Sequence, residues 1–127
     1  MKINKVTVII NKPISEVFNF ATDPANTPKW VESIVVEQVN EWPIKLGTAY
    51  KNQNRSGEWS EYRVTQFDQD RLFVLMKLNG NYSVEYTFSE LGDNKTKLVY
   101  RELVETGELA EPFTQKELDK LKVAIET

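Results

Sequence analysis

The stretch 12–30 constrains the fold of this chain most, because it carries a helical pattern between segments that resemble β-strands. Its apolar residues have the spacing of one buried helix face: Ile14, Val17, Phe18 and Ala21. Pro13 suits the first turn of this helix, and Asp23-Pro24 supplies the capping carboxylate and the proline of a second helix start. The stretch therefore predicts two short consecutive helices inside a β protein.

Seven segments have the composition or the two-residue alternation of β-strands. They are residues 3–11, 33–41, 48–54, 58–67, 72–78, 82–90 and 95–105. Turn sequences separate neighbouring strands in the second half of the chain, and Asn79-Gly80-Asn81 is the strongest of them. Strands that follow one another through short turns predict an antiparallel meander.

The C-terminal segment carries a complete signature for the start of a helix. Thr114 and Glu117 can form a capping box, with Phe113 and Leu118 as the hydrophobic staple around it. Leu118 and Leu121 then lie on one apolar helix face. We therefore expect an α+β protein in which one curved antiparallel sheet holds the C-terminal helix in its concave face.

These features, in this order, resemble the START-like superfamily, also called SRPBCC, which includes polyketide cyclase/dehydrase-like proteins. The matching positions are Pro13, Glu16-Val17-Phe18, Asp23-Pro24, Pro28, Trp30, Gly47, Leu118, Leu121 and Lys122. The resemblance covers essentially the whole chain, and it implies a single helix-grip domain over residues 1–127 with a cavity between sheet and helix. The C-terminal helix is commonly longer in that superfamily, so a shorter helix could leave part of the concave face open.

Cysteine and histidine are both absent from the chain, which narrows the chemistry that is available. Without them there is no disulfide, no thiolate nucleophile, no imidazole base and no zinc site of the usual kind. We expect neither a metal nor a cofactor. The 16 basic and 19 acidic residues give a net charge of −3 without a long block of either sign. Nucleic-acid binding is therefore not expected.

The sequence also bears on localisation and assembly. No apolar run reaches the length of a membrane span, and the N-terminal residues lack the pattern of a signal peptide. We accordingly expect a cytoplasmic protein, and a homodimer stays open.

Strand alternation predicts a group of tyrosines and one acid on the concave side of the sheet. The group consists of Tyr62, Tyr82, Tyr86, Tyr100 and Glu102. Tyrosines combine apolar rings with hydrogen-bonding hydroxyls, so this wall suits a small ligand with a few polar groups. The same alternation is also expected of tyrosines that only pack across strands.

Two of the candidate ligand contacts have competing interpretations. An inward Glu102 has to be neutralised, hydrogen-bonded by a tyrosine or paired with a cation such as Arg63, and it is then a candidate catalytic acid/base or ligand anchor. The alternative for Glu102 is a position in water at the rim of the sheet. Trp30 either closes the cavity mouth and contacts the ligand, or fills the core between the short helices and the sheet.

Three classes of function remain. Binding of a small hydrophobic or amphipathic ligand in the cavity ranks first, because the resemblance implies such a cavity. An enzyme of the polyketide cyclase or dehydratase kind ranks second, with glutamate and tyrosine handling protons; without histidine it needs a glutamate whose pKa is raised by burial. The third is a protein-interaction module that resembles activators of a heat-shock chaperone ATPase.

Overall fold

The computed structural model describes residues 1–127 and contains seven strands, two α-helices and one short 3-10 helix. The strands are β1 (Lys2–Ile10), β2 (Ile34–Val39), β3 (Ala49–Asn54), β4 (Trp59–Asp68), β5 (Leu72–Lys77), β6 (Tyr82–Glu90) and β7 (Thr96–Val104). The helices are α1 (Ile14–Thr22) and α2 (Gln115–Glu126), with the 3-10 helix at Thr27–Lys29. The order of elements is the predicted one. The ends of the strands differ from the prediction by about one or two residues, as is usual for element boundaries.

All seven strands form a single antiparallel sheet in the order β1-β7-β6-β5-β4-β3-β2. From β2 to β7 each strand pairs with its neighbour in the chain, which confirms the predicted meander. The turn between β5 and β6 uses Gly80 at a φ of 76°, a left-handed conformation that glycine adopts without steric cost. β1 pairs with β7, so the first and last strands of the chain lie side by side.

The helix pair after β1 closes one end of the curved sheet. Val17, Phe18 and Ala21 are buried on the apolar face of α1. The ring of Phe18 packs edge-on against Phe67 and Phe88, with centroid distances of 5.8 and 5.0 Å. The second predicted helix is only a 3-10 turn. Pro28 directly follows its first residue, Thr27. Because proline has no backbone N–H and disfavours the α conformation of the residue before it, an α-helix is not favoured through this position.

The start of α2 has the predicted capping box. The Thr114 side chain accepts a hydrogen bond from the backbone N–H of Glu117, and the Glu117 carboxylate accepts one from the backbone N–H of Thr114. The apolar face of the helix is buried through Leu118, Leu121 and Ile125. Neither α-helix combines the length and the apolar character that crossing a bilayer requires.

Side chains of α2 also cover the unpaired edge of β1. Gln115 Nε2 donates to the Thr7 carbonyl at 2.9 Å, and Lys122 Nζ donates to the Ile9 carbonyl at 2.7 Å. Such contacts satisfy backbone groups that an edge strand would otherwise offer to another chain. Among the strands α2 packs mainly on β1, and the concave face toward β2–β5 lies open beyond it.

Candidate functional site

An open cavity of about 800 Å³ lies between the concave face of the sheet and residues 108–113, the segment that leads into α2. Inward-facing residues of β2–β7 form the sheet side of the wall, and residues 31–34 contribute to its rim. The volume falls within the range of small-molecule sites, about 300 to 1,000 Å³. Part of the concave face is therefore open, which agrees with the expectation from the short C-terminal helix.

Five of the six predicted ligand contacts line this cavity. They are Tyr62, Tyr82, Tyr86, Tyr100 and Glu102. The predicted inward facing of β6 and β7 is thus confirmed by the structure. Whether these side chains contact a ligand remains a prediction.

Three of these tyrosines offer free hydroxyl groups. The hydroxyls of Tyr62, Tyr86 and Tyr100 make no hydrogen bond within the protein. Trp30 Nε1 is the only fully buried polar side-chain atom that lacks a partner, so none of these three unpaired hydroxyls is fully buried. The three hydroxyls are therefore not sealed in the core. Burial raises the pKa of Tyr62 to about 12, and it raises the pKa values of Tyr86 and Tyr100 well above the ordinary 10.0. At neutral pH they are uncharged groups that can donate or accept a hydrogen bond.

The Glu102 carboxylate is buried, with 2% of the residue exposed, and its oxygens are occupied by partners within the protein. Tyr82 donates its hydroxyl hydrogen to Oε1 at 2.9 Å, and Asn4 Nδ2 donates to Oε2 at 2.9 Å. The backbone N–H of Phe113 also donates to Oε2. Of the three predicted ways to accommodate an inward Glu102, hydrogen bonding by a tyrosine is therefore realised. Arg63 instead pairs with Glu61, at 2.9 Å.

The hydrogen bonds of Glu102 connect the sheet to the opposite wall of the cavity. Asn4 donates to Glu102 and also to the carbonyl of Phe113, at 2.8 Å. Strands β1, β6 and β7 and the end of segment 108–113 therefore meet at this one carboxylate. Glu102 therefore holds segment 108–113 over the cavity. This is a structural role, whereas the sequence analysis named Glu102 as a candidate catalytic acid/base or ligand anchor.

Trp30 lies in the core, and the structure does not place it on the cavity wall. Its ring is 1% exposed and packs edge-on against Tyr86, Tyr100 and Phe113, at centroid distances of 6.1, 6.4 and 5.8 Å. Of its two interpretations, the core position between the helices and the sheet is the one observed. The reason is that the large apolar surface of tryptophan is best buried where other aromatic rings converge.

Glu37 on β2 lines the cavity and was missed by the sequence analysis. Its Oε1 accepts a hydrogen bond from the Thr27 hydroxyl at 2.6 Å, and its Oε2 accepts one from Asn52 Nδ2 at 3.2 Å. Burial raises the pKa of this carboxyl above its ordinary 4.5, although the two hydrogen bonds oppose the shift. The cavity therefore contains an acid that, unlike Glu102, is partly accessible.

A β-bulge explains why Glu37 was overlooked. The pairing of β2 with β3 shifts between Ile34 and Val36, so that Ile34 and Val39 both pack toward the core despite their odd separation. Strict alternation cannot place both of these apolar residues inside. Once Val39 faces inward, Glu37 two residues earlier does so too.

The acidic residues do not form a metal centre. No group of three or more of them lies close enough together to hold an ion. The polar groups on the cavity wall are carboxylates, hydroxyls, amides and the two basic side chains of Arg55 and Lys77.

The fold and the sequence pattern agree with comparisons to known proteins. A family model described as polyketide cyclase / dehydrase and lipid transport matches residues 2–126. No curated protein matches the chain at a significant level.

Solved bacterial structures share the fold. The protein XoxI from Bacillus cereus has a TM-score of 0.76 at 16% identity, over 99% of this chain and 96% of the other. An uncharacterised protein from Bacillus thuringiensis has a TM-score of 0.74 at 15% identity, over 99% and 100% of the two chains. CalU16 from Micromonospora echinospora has a TM-score of 0.69 at 18% identity, over 97% and 75%. At these identities the likeness shows the fold alone.

Proposed function

Because the chain belongs to the polyketide cyclase/dehydrase and lipid transport family, we propose that it binds a small amphipathic ligand between the sheet and segment 108–113. The observation that carries this proposal is the open cavity of about 800 Å³ in that position. A cavity of this size can surround most of the surface of a small organic molecule.

The apolar part of the ligand would lie over the middle of the sheet. Leu75 on β5 and Val84 on β6 are cross-strand partners, and both contribute to the cavity wall. The rings of Tyr86 and Tyr100 extend this apolar area on β6 and β7. Burial of a hydrocarbon chain against these side chains would supply the main driving force, at about 25 cal/mol for each Å² removed from water.

The polar part of the ligand would lie toward β2–β4. Glu37, Asn52, Ser60 and Tyr62 line this side of the cavity. A polar group on the ligand could form hydrogen bonds with these side chains. A few polar groups in a mainly apolar site usually set the orientation of a ligand, so we assign this role to them.

Titration with the neutral apolar dye N-phenyl-1-naphthylamine tests the proposal. We expect saturable fluorescence enhancement with the wild-type protein. Val84→Trp and Ser60→Trp would fill two parts of the cavity and weaken dye binding at least about tenfold, which corresponds to about 1.4 kcal/mol. Thr87→Trp places the same bulk at an exposed site on β6 and should bind the dye like the wild type.

Circular dichroism would show whether each variant retains the native fold. Absence of dye binding by the wild type would refute the proposal. Undiminished binding by both folded cavity variants would refute it as well, because the dye would then bind elsewhere.

A proton-transfer enzyme is the second candidate, and Glu37 is the observation that favours it. A carboxyl with a pKa raised by burial can exchange a proton closer to neutral pH than an ordinary glutamate. Glu102 is less suited to this role because it is 2% exposed and accepts three hydrogen bonds within the protein, whereas Glu37 accepts two and is only partly buried. Under this alternative, Glu37→Gln abolishes turnover of a bound substrate while dye binding persists; retained turnover would exclude Glu37 as the acid or base.

A further inference from the structure

We propose that the ligand carries a protonated amine at its polar end and that this amine pairs with the Glu37 carboxylate. The inference rests on the proposed ligand-binding function and adds the charge of the polar group. It starts from a carboxylate on the cavity wall that has no basic side chain as its partner.

The Glu37 carboxylate is held in place by neutral donors. Thr27, in the 3-10 helix, donates to Oε1, and Asn52, directly across on β3, donates to Oε2. These two contacts fix the side chain from both sides of β2. Each carboxylate oxygen has two lone-pair sites, so both oxygens can accept a further hydrogen bond from a ligand.

No protein cation compensates the charge of Glu37. No lysine or arginine lies within ion-pair distance of it, whereas seven other pairs occur across the protein. Removal from bulk water raises the pKa of the carboxyl, and only the two neutral hydrogen bonds oppose this effect. A ligand ammonium would provide the opposite charge that a partly buried carboxylate needs.

Neither of the two basic residues of the cavity wall lies within ion-pair distance of Glu37. Arg55 belongs to the turn between β3 and β4, and its charge acts on Glu32. Lys77 ends β5, and the residues after it are exposed, so its long side chain can bring the ammonium group into water. Six glutamates and these two basic residues line the cavity. This charge balance disfavours an anionic ligand.

Tyr62 adds a neutral hydroxyl to the same part of the cavity. Glu37 pairs with Asn52 on β3, Asn52 pairs with Ser60 on β4, and Tyr62 lies two residues after Ser60 on the same face of β4. Burial raises the pKa of Tyr62, and the negative charge of Glu37 adds to this effect. An ammonium group could donate one hydrogen bond to the carboxylate and a second to the phenol oxygen. The hydrocarbon part of the ligand would then extend toward Leu75 and Val84.

Three probes with the same hydrocarbon tail test the charge preference: decylamine, decanol and decanoate. Displacement of N-phenyl-1-naphthylamine at neutral pH and low salt gives their relative affinities. We expect the wild type to bind decylamine about 10- to 100-fold more tightly than decanol, the range of a hydrogen bond to a charged group. Decanoate should bind most weakly.

Glu37→Gln should remove the preference for decylamine and leave the affinity for decanol unchanged. Glu85→Gln is the matched control, because it removes the same charge from a residue of β6 that lies outside the cavity wall and pairs with Arg101. That variant should keep the preference. The relative affinities of the three probes are measured on the wild type. The charge preference can therefore be tested even if Glu37→Gln does not fold.

The outcomes separate this inference from the proposed function. Binding of decanol without a preference for decylamine would overturn the inference and leave the ligand-binding function standing. Tightest binding of decanoate would overturn it in favour of Lys77 as the anchor. If Glu37→Gln and Glu85→Gln lose the preference for decylamine equally, the inference is overturned, because the preference then reflects the net charge of the protein and not Glu37. If no probe displaces the dye from the cavity, the proposed function fails together with the inference.

Discussion

Replacement of Glu102 by glutamine should destabilise the protein although the two side chains have nearly the same size. The carboxylate accepts hydrogen bonds from Asn4, Tyr82 and the backbone of Phe113. An amide retains only one oxygen, so the Asn4 and Phe113 bonds could persist as neutral ones, while the Tyr82 hydroxyl would face an NH₂ group. The altered contacts all lie where segment 108–113 meets the sheet.

The magnitude follows from the number of altered bonds. A hydrogen bond to a charged group contributes about 1.5–3 kcal/mol, and a neutral one about 0.5–1.5 kcal/mol. Weakening three bonds from charged to neutral strength therefore costs about 3–4.5 kcal/mol together, and the lower cost of burying an uncharged amide offsets part of this loss. We expect a net decrease of about 2 kcal/mol in the free energy of unfolding.

Urea denaturation followed by tryptophan fluorescence measures the effect. Glu85→Gln, on the neighbouring strand, serves as the control and should cost less than about 0.5 kcal/mol because its ion pair with Arg101 is exposed and long, at 3.8 Å. Tyr82→Phe combined with Glu102→Gln should show a coupling energy of at least about 0.5 kcal/mol. Hydrogen exchange at the Phe113 amide should accelerate in Glu102→Gln.

The reasoning is refuted if Glu102→Gln is as stable as Glu85→Gln and the Phe113 amide exchanges at the wild-type rate. Additive effects of Tyr82→Phe and Glu102→Gln would show that the two side chains do not interact in solution.

Two further predictions concern α2 and Glu37. Leu121→Ala should lower the free energy of unfolding by about 2–5 kcal/mol because Leu121 is 0% exposed. Val123→Ala, at a position 64% exposed on the same helix, should cost less than about 0.5 kcal/mol, and equal losses would contradict the packing of α2. Because the folded protein raises the pKa of Glu37 above 4.5, wild-type stability relative to Glu37→Gln should increase as the pH falls through that pKa toward 4.5. A pH-independent difference between the two unfolding curves would contradict the raised pKa.

Local patterns accounted for much of the fold. The inward facing of Tyr82, Tyr86 and Tyr100 followed from the two-residue period of a strand, which depends only on backbone geometry. The capping box of Thr114 and Glu117 joins residues three apart and was visible for the same reason. Such features need no knowledge of distant parts of the chain.

The candidate site depended on contacts that no local pattern reports. Asn4 and Glu102 are 98 residues apart in the sequence and form a hydrogen bond because β1 pairs with β7. The structural role of the Glu102 carboxylate therefore depends on this long-range strand pairing. Glu37 faces inward because of a single bulge in β2. Trp30 lies in the core because aromatic rings from β6, β7 and the 108–113 segment converge around it.

The amino-acid sequence was therefore sufficient for the order of elements, the meander and the faces of regular strands, because spacing along the backbone governs each of them. The open cavity, the accessible acid on its wall and the buried acid that holds the opposite wall required the tertiary structure. They arise where register shifts and long-range pairing bring side chains together, and those depend on the packing of the whole chain.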